Sequence, residues 1–178
     1  MPRRDAQRNY ERLLTEGEVA FDRDGVGASL DDIAKAASVG NATLYRHFPS
    51  RAAILEAIYG ERVRTLPAVA ASLVTDGDPG AALVTWLRTV ISLLNGSRGL
   101  REAFEAATMA DSELRHIEWP QIVRAAAKPL LANAQAAGVI RPDLTTAELI
   151  TLLTAIAKAA TPADAKRCLT LLIDGLGA

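Results

Sequence analysis

The sequence predicts an all-α protein of about nine helices. Hydrophobic residues make up 49% of the 178 residues and aromatic residues only 4%, and alanine and leucine dominate. Such a composition favours helices packed through small and aliphatic side chains. Apolar residues recur at helical spacing, and no segment alternates apolar and polar residues for long enough to indicate a strand. The predicted helices cover residues 4–23, 30–37, 41–47, 51–72, 79–95, 100–108, 112–137, 146–159 and 162–174.

Two short helices separated by a tight turn are predicted near the N-terminus. Ser29 and Asp32 have the spacing of a capping pair at the start of the first of these helices. Residues 37–40 form the turn. The second helix, 41–47, ends before Pro49 because a residue that precedes proline avoids helical backbone. This is the helix-turn-helix pattern, in which the second helix lies in the major groove of DNA.

The second helix of the pair concentrates polar groups on its outward side. Amide, hydroxyl, phenol, guanidinium and imidazole groups can bond phosphates and read base edges, and they form no familiar catalytic or metal site. A plain three-helix bundle without DNA binding is the alternative, since short patterns of this kind are common. The predicted outward residues are Asn41, Thr43, Tyr45, Arg46 and His47, and the inward ones are Val39, Leu44 and Phe48.

The runs Leu30-Asp31-Asp32-Ile33-Ala34 and Thr43-Leu44-Tyr45-Arg46-His47-Phe48-Pro49-Ser50-Arg51 resemble the DNA-binding domain of the TetR family of transcriptional regulators. The resemblance implies phosphate contacts from Tyr45, His47 and Arg51 and a contact near the cap from Ser29. It also implies base or phosphate contacts from Asn41, Thr43 and Arg46. Gly40 and the pair Asn41-Ala42 depart from residues frequent in the family, which affects only the expected base preference.

The charge distribution limits how the chain could hold DNA. The formal net charge is −1, and the charges of the first 51 residues are balanced, so the chain as a whole exerts no general attraction on nucleic acid. Any positive surface must therefore be local. Arg3, Arg4, Arg46 and Arg51, together with helix N-termini, are the groups that could form it.

The remainder of the chain is predicted to be a separate domain. We expect a DNA-binding domain at residues 1–50 and a ligand-binding and dimerisation domain at residues 51–178. This second half more loosely resembles the TetR branch with an SbtR-like C-terminal domain, which implies a ligand domain without naming the ligand. The residues that carry the resemblance are Trp86-Leu-Arg88, Arg98-Gly-Leu100, Ala136-Ala-Gly138, Arg141-Pro-Asp143 and Leu171-Leu-Ile-Asp-Gly175.

An apolar cavity is predicted in the C-terminal half. Pro120 and Pro129 are expected to kink the helix over 112–137 and so to open space for a small apolar effector. Taken singly, each candidate lining residue is more simply explained as core, and Glu102, Glu105 and His116 are the polar groups that could anchor a ligand. The candidate lining residues are Trp86, Val90, Phe104, Met109, Trp119 and Ile122.

The last two predicted helices are short, apolar and joined only by Thr161-Pro162. They could be core, or they could pair with a second copy of the chain in a four-helix bundle. We favour the second interpretation because a helix-turn-helix protein with one short recognition helix usually needs a second copy to bind DNA with enough affinity and specificity. The predicted dimer-interface residues are Leu149, Leu153, Ile156, Leu169, Leu172 and Ile173.

Other classes of function are poorly supported by the sequence. No phosphate-binding glycine loop, G-x-S-x-G, H-E-x-x-H or paired-cysteine motif occurs, so no enzyme, metal or cofactor is expected. Cys168 is predicted to be a buried, inert thiol, and no signal peptide or bilayer-spanning segment is expected, which predicts a cytoplasmic protein. The sequence thus predicts a DNA-binding transcriptional regulator. We expect it to be a repressor that responds to a ligand and binds a palindromic operator as a homodimer. The alternative is a helical small-molecule-binding or protein-interaction module without sequence-specific DNA binding.

Overall fold

The computed structural model describes residues 2–75, 77–159 and 161–177, apart from the side chains of residues 2, 3 and 162. These residues form ten α-helices and no strand beyond one isolated antiparallel bridge between Ile140 and Gly177. The helices are α1 Pro2–Asp24, α2 Leu30–Ala36, α3 Asn41–His47, α4 Arg51–Arg64, α5 Leu66–Thr75, α6 Pro79–Asn95, α7 Arg98–Thr108, α8 Trp119–Ala136, α9 Thr146–Ile156 and α10 Pro162–Gly175. The predicted all-α fold is confirmed.

The chain divides into two compact units. The first unit contains residues 1–61 and 97–117, and the second contains residues 62–96 and 118–178. The first unit therefore includes α7, which follows α6 in the sequence but packs against α1. The domain boundary expected after residue 50 stays a prediction. The two compact units are defined by contacts within the chain, and their limits lie at other residues.

The first unit is built around side chains that α1 contributes from one face. α1 packs against both α2 and α7, and α2 packs against α3. A buried aromatic residue from each of α1, α4 and α7 fills the interior of this unit. These residues are Phe21, Tyr59 and Phe104.

The second unit is a helical bundle in which α8 packs against α5, α6 and α9. α10 packs against α6 and α9. Trp86 of α6 and Trp119 of α8 are its largest buried side chains, and aliphatic residues fill the space around them. Within the described residues, none of the helices is both long and apolar enough to cross a membrane.

The two largest differences from the predicted helices both arise at a proline. The helix expected over 51–72 is two helices, because Pro67 cannot donate to the carbonyl of residue 63 and instead lies in the first turn of α5. Thr65, between them, donates through Oγ1 to the Arg62 carbonyl at 2.7 Å. This break accounts for the tenth helix.

The helix expected from residue 112 begins at Trp119. Pro120 therefore lies in the first turn of α8, where a backbone N–H has no partner within the helix, so the absence of that N–H costs no hydrogen bond. The kink expected at Pro120 is wrong. Pro129 does lie inside α8. The preceding segment is a series of turns, with Ser112, Arg115 and Ile117 each donating to the carbonyl three residues earlier. Cys168 is exposed in the described chain, so its predicted burial is also wrong.

Candidate nucleic-acid interface

α2 begins at the residue that the sequence predicts. Ser29 is extended, with φ −68° and ψ 122°, and its Oγ accepts a hydrogen bond from the Asp32 backbone N–H at 3.2 Å. Leu30, Ile33 and Ala34 are buried. The capping bond therefore fixes where α2 starts, and these three side chains fix which side faces inward. The role of Ser29 beside DNA stays a prediction.

The turn between α2 and α3 is closed by two backbone hydrogen bonds. Ser38 donates to the Lys35 carbonyl at 3.0 Å, and Val39 donates to the Ala34 carbonyl at 2.9 Å. This is the Schellman pattern of helix termination, which requires one left-handed residue. Here that residue is Ser38, with φ +53°, where glycine is more usual. Val39 is buried beyond it, so the turn sets the angle at which α3 leaves α2.

The side chains of α3 divide between an inward and an outward side. Leu44 is buried within the helix, and Phe48, the C-cap residue, is buried just after it. The outward side is polar and has no apolar residue larger than alanine apart from the ring of Tyr45, which is 47% exposed. Asn41, Tyr45 and Arg46 are exposed, and Thr43 and His47 are half-buried.

The C-terminal end of α3 packs against the first helix through aromatic rings. The ring centroid of Tyr10 lies 5.8 Å from that of His47, edge to face, and 5.2 Å from that of Phe48. Such contacts stabilise the pairing of the two elements beyond the area they bury. His47 thus packs against α1, while its contact with phosphate stays a prediction.

Arg51 has partners inside the protein that the sequence did not predict. Its Nη1 donates to the carbonyls of Val26 at 2.8 Å and Ala28 at 2.5 Å, and its Nε lies 3.4 Å from a Glu113 carboxylate oxygen. Its side chain is only 21% exposed. Arg51 therefore ties α4 to the loop before α2, and its predicted phosphate contact would have to be made by its remaining donors.

Glu102 of α7 holds the same loop from another direction. Its Oε2 accepts from the Val26 N–H at 2.9 Å, and its Oε1 accepts from Arg98 Nε at 2.7 Å. Burial raises the pKa of Glu102, but the hydrogen bonds from Arg98 and Val26 outweigh that effect and hold the pKa below its usual value. Arg98 also donates to the Arg23 carbonyl at 2.8 Å. From the sequence alone, Glu102 is expected only as a possible ligand anchor.

A second carboxylate joins α1 to the start of α7. Asp22 Oδ1 accepts from Ser97 Oγ at 2.5 Å, from the Gly99 N–H at 3.1 Å and from Tyr59 Oη at 3.3 Å. Burial, opposed by the hydrogen bond with Ser97, raises the pKa of Tyr59 to about 12. These bonds position α1 and α4 with respect to α7. Nothing in their local sequence indicates partners so distant along the chain.

The remaining predicted DNA contacts lie on α1. Arg4 is exposed in its first turns, whereas the side chain of Arg3 lies outside the described residues. The structure thus brings Ser29, Arg51 and the α3 residues into the first unit, and the DNA-contact roles assigned to all of them stay predictions.

The predicted ligand-lining residues are divided between the two units. Phe104 and Met109 belong to the first unit, and the other four belong to the second. Trp86 is buried, and its Nε1 donates to the Leu66 carbonyl at 3.2 Å, whereas Met109 is 51% exposed. Four cavities among the described residues are lined by other side chains. An effector site at Trp86, Val90, Phe104, Met109, Trp119 and Ile122 stays a prediction.

The predicted dimer-interface residues differ in burial. Leu149, Leu153 and Leu169 are buried within their own chain and form part of the core of the second unit. The other three, Ile156, Leu172 and Ile173, are half-buried. Two neighbouring leucines outside the predicted interface set are more accessible: Leu152 of α9 is 36% exposed and Leu171 of α10 is 57% exposed.

The first unit has the geometry of a helix-turn-helix DNA-binding protein, and comparisons with known proteins agree. Residues 13–58 match the family model described as bacterial regulatory proteins of the tetR family. Residues 78–178 match the model described as the C-terminal domain of SbtR-like transcriptional regulators. No curated protein matches the chain.

Similar solved structures extend over nearly the whole chain. The TetR transcriptional regulator SCO0520 from Streptomyces coelicolor is 31% identical, with 94% of this chain and 98% of that chain covered and a TM-score of 0.61. A TetR regulatory protein from Mycobacterium vanbaalenii is 29% identical, with both chains covered completely and a TM-score of 0.56. RolR, solved in complex with resorcinol, shares the fold at 16% identity, with 98% and 90% covered and a TM-score of 0.62.

The chain belongs to the TetR family. It is a DNA-binding transcriptional regulator, and members of this family are not enzymes. The resemblance that the sequence showed is thereby confirmed for the family and for its SbtR-like branch.

Proposed function

We propose that this protein is a repressor that binds a palindromic operator as a homodimer and is released by a small molecule. The outward side of α3 is the observation that carries the DNA-binding part. Its exposed amide, phenol and guanidinium groups stand on a helix whose inward side is anchored by Leu44 and Phe48. Such groups supply both phosphate contacts and base readout.

The exposed apolar residues of α9 and α10 support the homodimer. Leu152 and Leu171 are accessible, and the half-buried Ile156 and Leu172 lie near them along the same two helices. Covering such residues with a second copy removes apolar surface from water. Two copies would place two α3 helices in successive major grooves about 34 Å apart.

Release by a small molecule is supported by the family. RolR was solved with resorcinol bound, and family members bind small ligands. A ligand shifts operator occupancy only by its different affinity for the bound and released states, and a coupling of about 1–3 kcal/mol changes occupancy several-fold to a hundredfold.

Selection from random duplex DNA, followed by footprinting and measurement of the complex mass, tests the proposal. We expect an inverted repeat with half-sites one helical turn apart, occupied by two copies of the chain. Selection of unrelated sequences with equal affinity would contradict a specific operator. A footprint over a single half-site by one copy would contradict the homodimer.

A further inference from the structure

A groove of ≈ 480 Å³ lies between α6 and α10 in the second unit. It falls within the size range of small-molecule sites, about 300–1,000 Å³. Its floor is apolar, because Ile91 and Leu169 are both buried there. Polar and cationic side chains surround that floor. They are Arg88, Ser92 and Asn95 on α6 and Lys166 on α10.

Neither cation of the groove has an acidic residue three or four positions away on its own helix. α6 contains no acidic residue, and the positions three and four residues before and after Arg88 are uncharged. The same four positions around Lys166 are also uncharged. Neither Arg88 nor Lys166 forms an ion pair with any residue that the structure describes. The acidic residues of these two helices are Asp164 and Asp174 of α10, and neither lines the groove, so no acidic side chain of the described lining balances its positive charge.

We propose that this groove binds a small organic carboxylate whose remaining part is an apolar chain or ring. The carboxylate would lie between Arg88 and Lys166, where the guanidinium offers paired N–H donors and the ammonium a point charge. The apolar part would cover Ile91 and Leu169. Ser92 and Asn95 lie on the same side of α6 as Arg88, at spacings of four and seven residues, and supply further hydrogen bonds.

The groove is separate from the exposed Leu152 and Leu171 surface proposed for the second copy, although Leu169 of the predicted interface lies in the floor of the groove. In an α-helix successive residues are rotated by about 100°, so Lys166 and Cys168 lie about 200° apart around α10. Cys168 and Leu172 share one flank of α10, and Lys166 and Ile173 share the opposite flank. A homodimer formed through the Leu171 and Leu172 side thus leaves the groove open. The use of this carboxylate as the effector rests on the function proposed above.

Calorimetric titration of the protein alone with octanoate, 3-phenylpropanoate and the uncharged octanamide tests the site. We expect both carboxylates to bind and octanamide to bind at least several-fold more weakly. Arg88→Gln and Lys166→Gln should each weaken octanoate binding about three- to tenfold, and added salt should weaken it in the wild type. Arg124→Gln and Lys128→Gln, which remove exposed cations of α8 outside the groove, should leave the affinity unchanged.

Three results would overturn the site: no binding of either carboxylate, equal binding of octanamide, or an unchanged affinity in the Arg88→Gln, Lys166→Gln double variant. Methyl NMR shifts at Ile91 and Leu169 on adding octanoate provide a check that does not depend on a substitution. Shifts confined to other residues would place the ligand elsewhere.

Operator release is measured separately, by gel shift on the selected DNA. We expect octanoate to reduce wild-type occupancy, with the double variant needing several-fold more of it. Binding without release would keep the groove as a site and overturn its effector role. A wild type that binds no specific DNA would overturn the proposed function, while calorimetry would still decide whether the groove binds carboxylates.

Discussion

Glu102 accepts a hydrogen bond from the Val26 backbone N–H at 2.9 Å, across a separation of 76 residues. Arg51 binds the carbonyl of the same residue at 2.8 Å. Val26 is thus held through its N–H by α7 and through its carbonyl by α4. The loop before α2 has a fixed conformation because both of its polar backbone groups at this residue have charged partners.

Glu102→Gln should reduce stability at neutral pH, and the reduction should disappear in acid. Because the folded pKa of Glu102 lies below its usual value of 4.5, its contribution is complete above that value and is lost as the pH falls through the folded pKa. Urea unfolding of both proteins between pH 3 and pH 7 measures this. A stability difference that stayed constant over the whole range would show that ionised Glu102 does not hold the loop.

Gly25→Ala should destabilise the protein by about 2–4 kcal/mol. Gly25 has φ +80°, and an added Cβ would overlap the Glu102 carboxylate. Gly27, two residues later, is the matched control, since a Cβ there meets no atom within 4 Å. Gly27→Ala should change stability by less than about 0.5 kcal/mol in thermal unfolding. Similar effects of the two substitutions would argue against the described packing of Glu102 on the loop.

Arg51→Ala should cost about 1–3 kcal/mol of folding stability, because two carbonyls of the α1–α2 loop lose their donor. Arg46→Ala, at an exposed position of α3, should leave stability nearly unchanged. The resemblance also predicts that Arg51 contacts phosphate, so its loss should lower the salt slope of DNA binding by about one unit. An unchanged slope would assign Arg51 to the loop alone, and an altered operator preference would contradict a phosphate role.

Asn41→Ala should weaken binding to the best operator by about 1–3 kcal/mol and have little effect on random DNA, since an exposed amide at the start of α3 can read adenine. Arg46 should contribute base preference in the same way through guanine. Tyr45→Phe is the contrasting change: it should weaken binding to all DNA alike, because phosphate carries no sequence information. Fluorescence anisotropy measures the affinity of each variant for the operator and for random DNA. If Asn41→Ala lost equal affinity for both DNAs, Asn41 would contact phosphate and not a base.

Leu171→Asp should yield a folded monomer that binds the operator weakly. Leu171 is 57% exposed in the single chain, so the carboxylate stays solvated there but would be buried and unpaired in the proposed dimer. Thr170→Asp, at the adjacent exposed position, should remain dimeric by light scattering. A dimeric Leu171→Asp would place the interface elsewhere. Leu169→Asp should instead prevent folding, because Leu169 is buried in the core of its own chain.

The local structure of the helix-turn-helix, α2 and α3, was predicted from the sequence with little error. Helical spacing gave α2 and α3 to within one residue, the Ser29 cap lies where Ser29 and Asp32 predict it, and Leu44 and Phe48 are buried as expected. These features depend on residues only a few positions apart, and such interactions are present in any short segment. The largest boundary errors, at Thr65 and Trp119, involve prolines whose position within a helix depends on where that helix begins.

Only the tertiary structure decided which distant groups meet. Glu102 and Arg51 were predicted to serve a ligand and DNA, but the fold brings both to Val26, and Asp22 to the start of α7. Likewise, the predicted interface on α9 and α10 includes Leu169, which is buried in its own chain, and omits Leu171, which is exposed. A pattern records which side of a helix is apolar. The fold determines which apolar residues of that side are covered by other helices of the same chain. It also determines which charged side chains meet a partner, because those partners lie far away in the sequence.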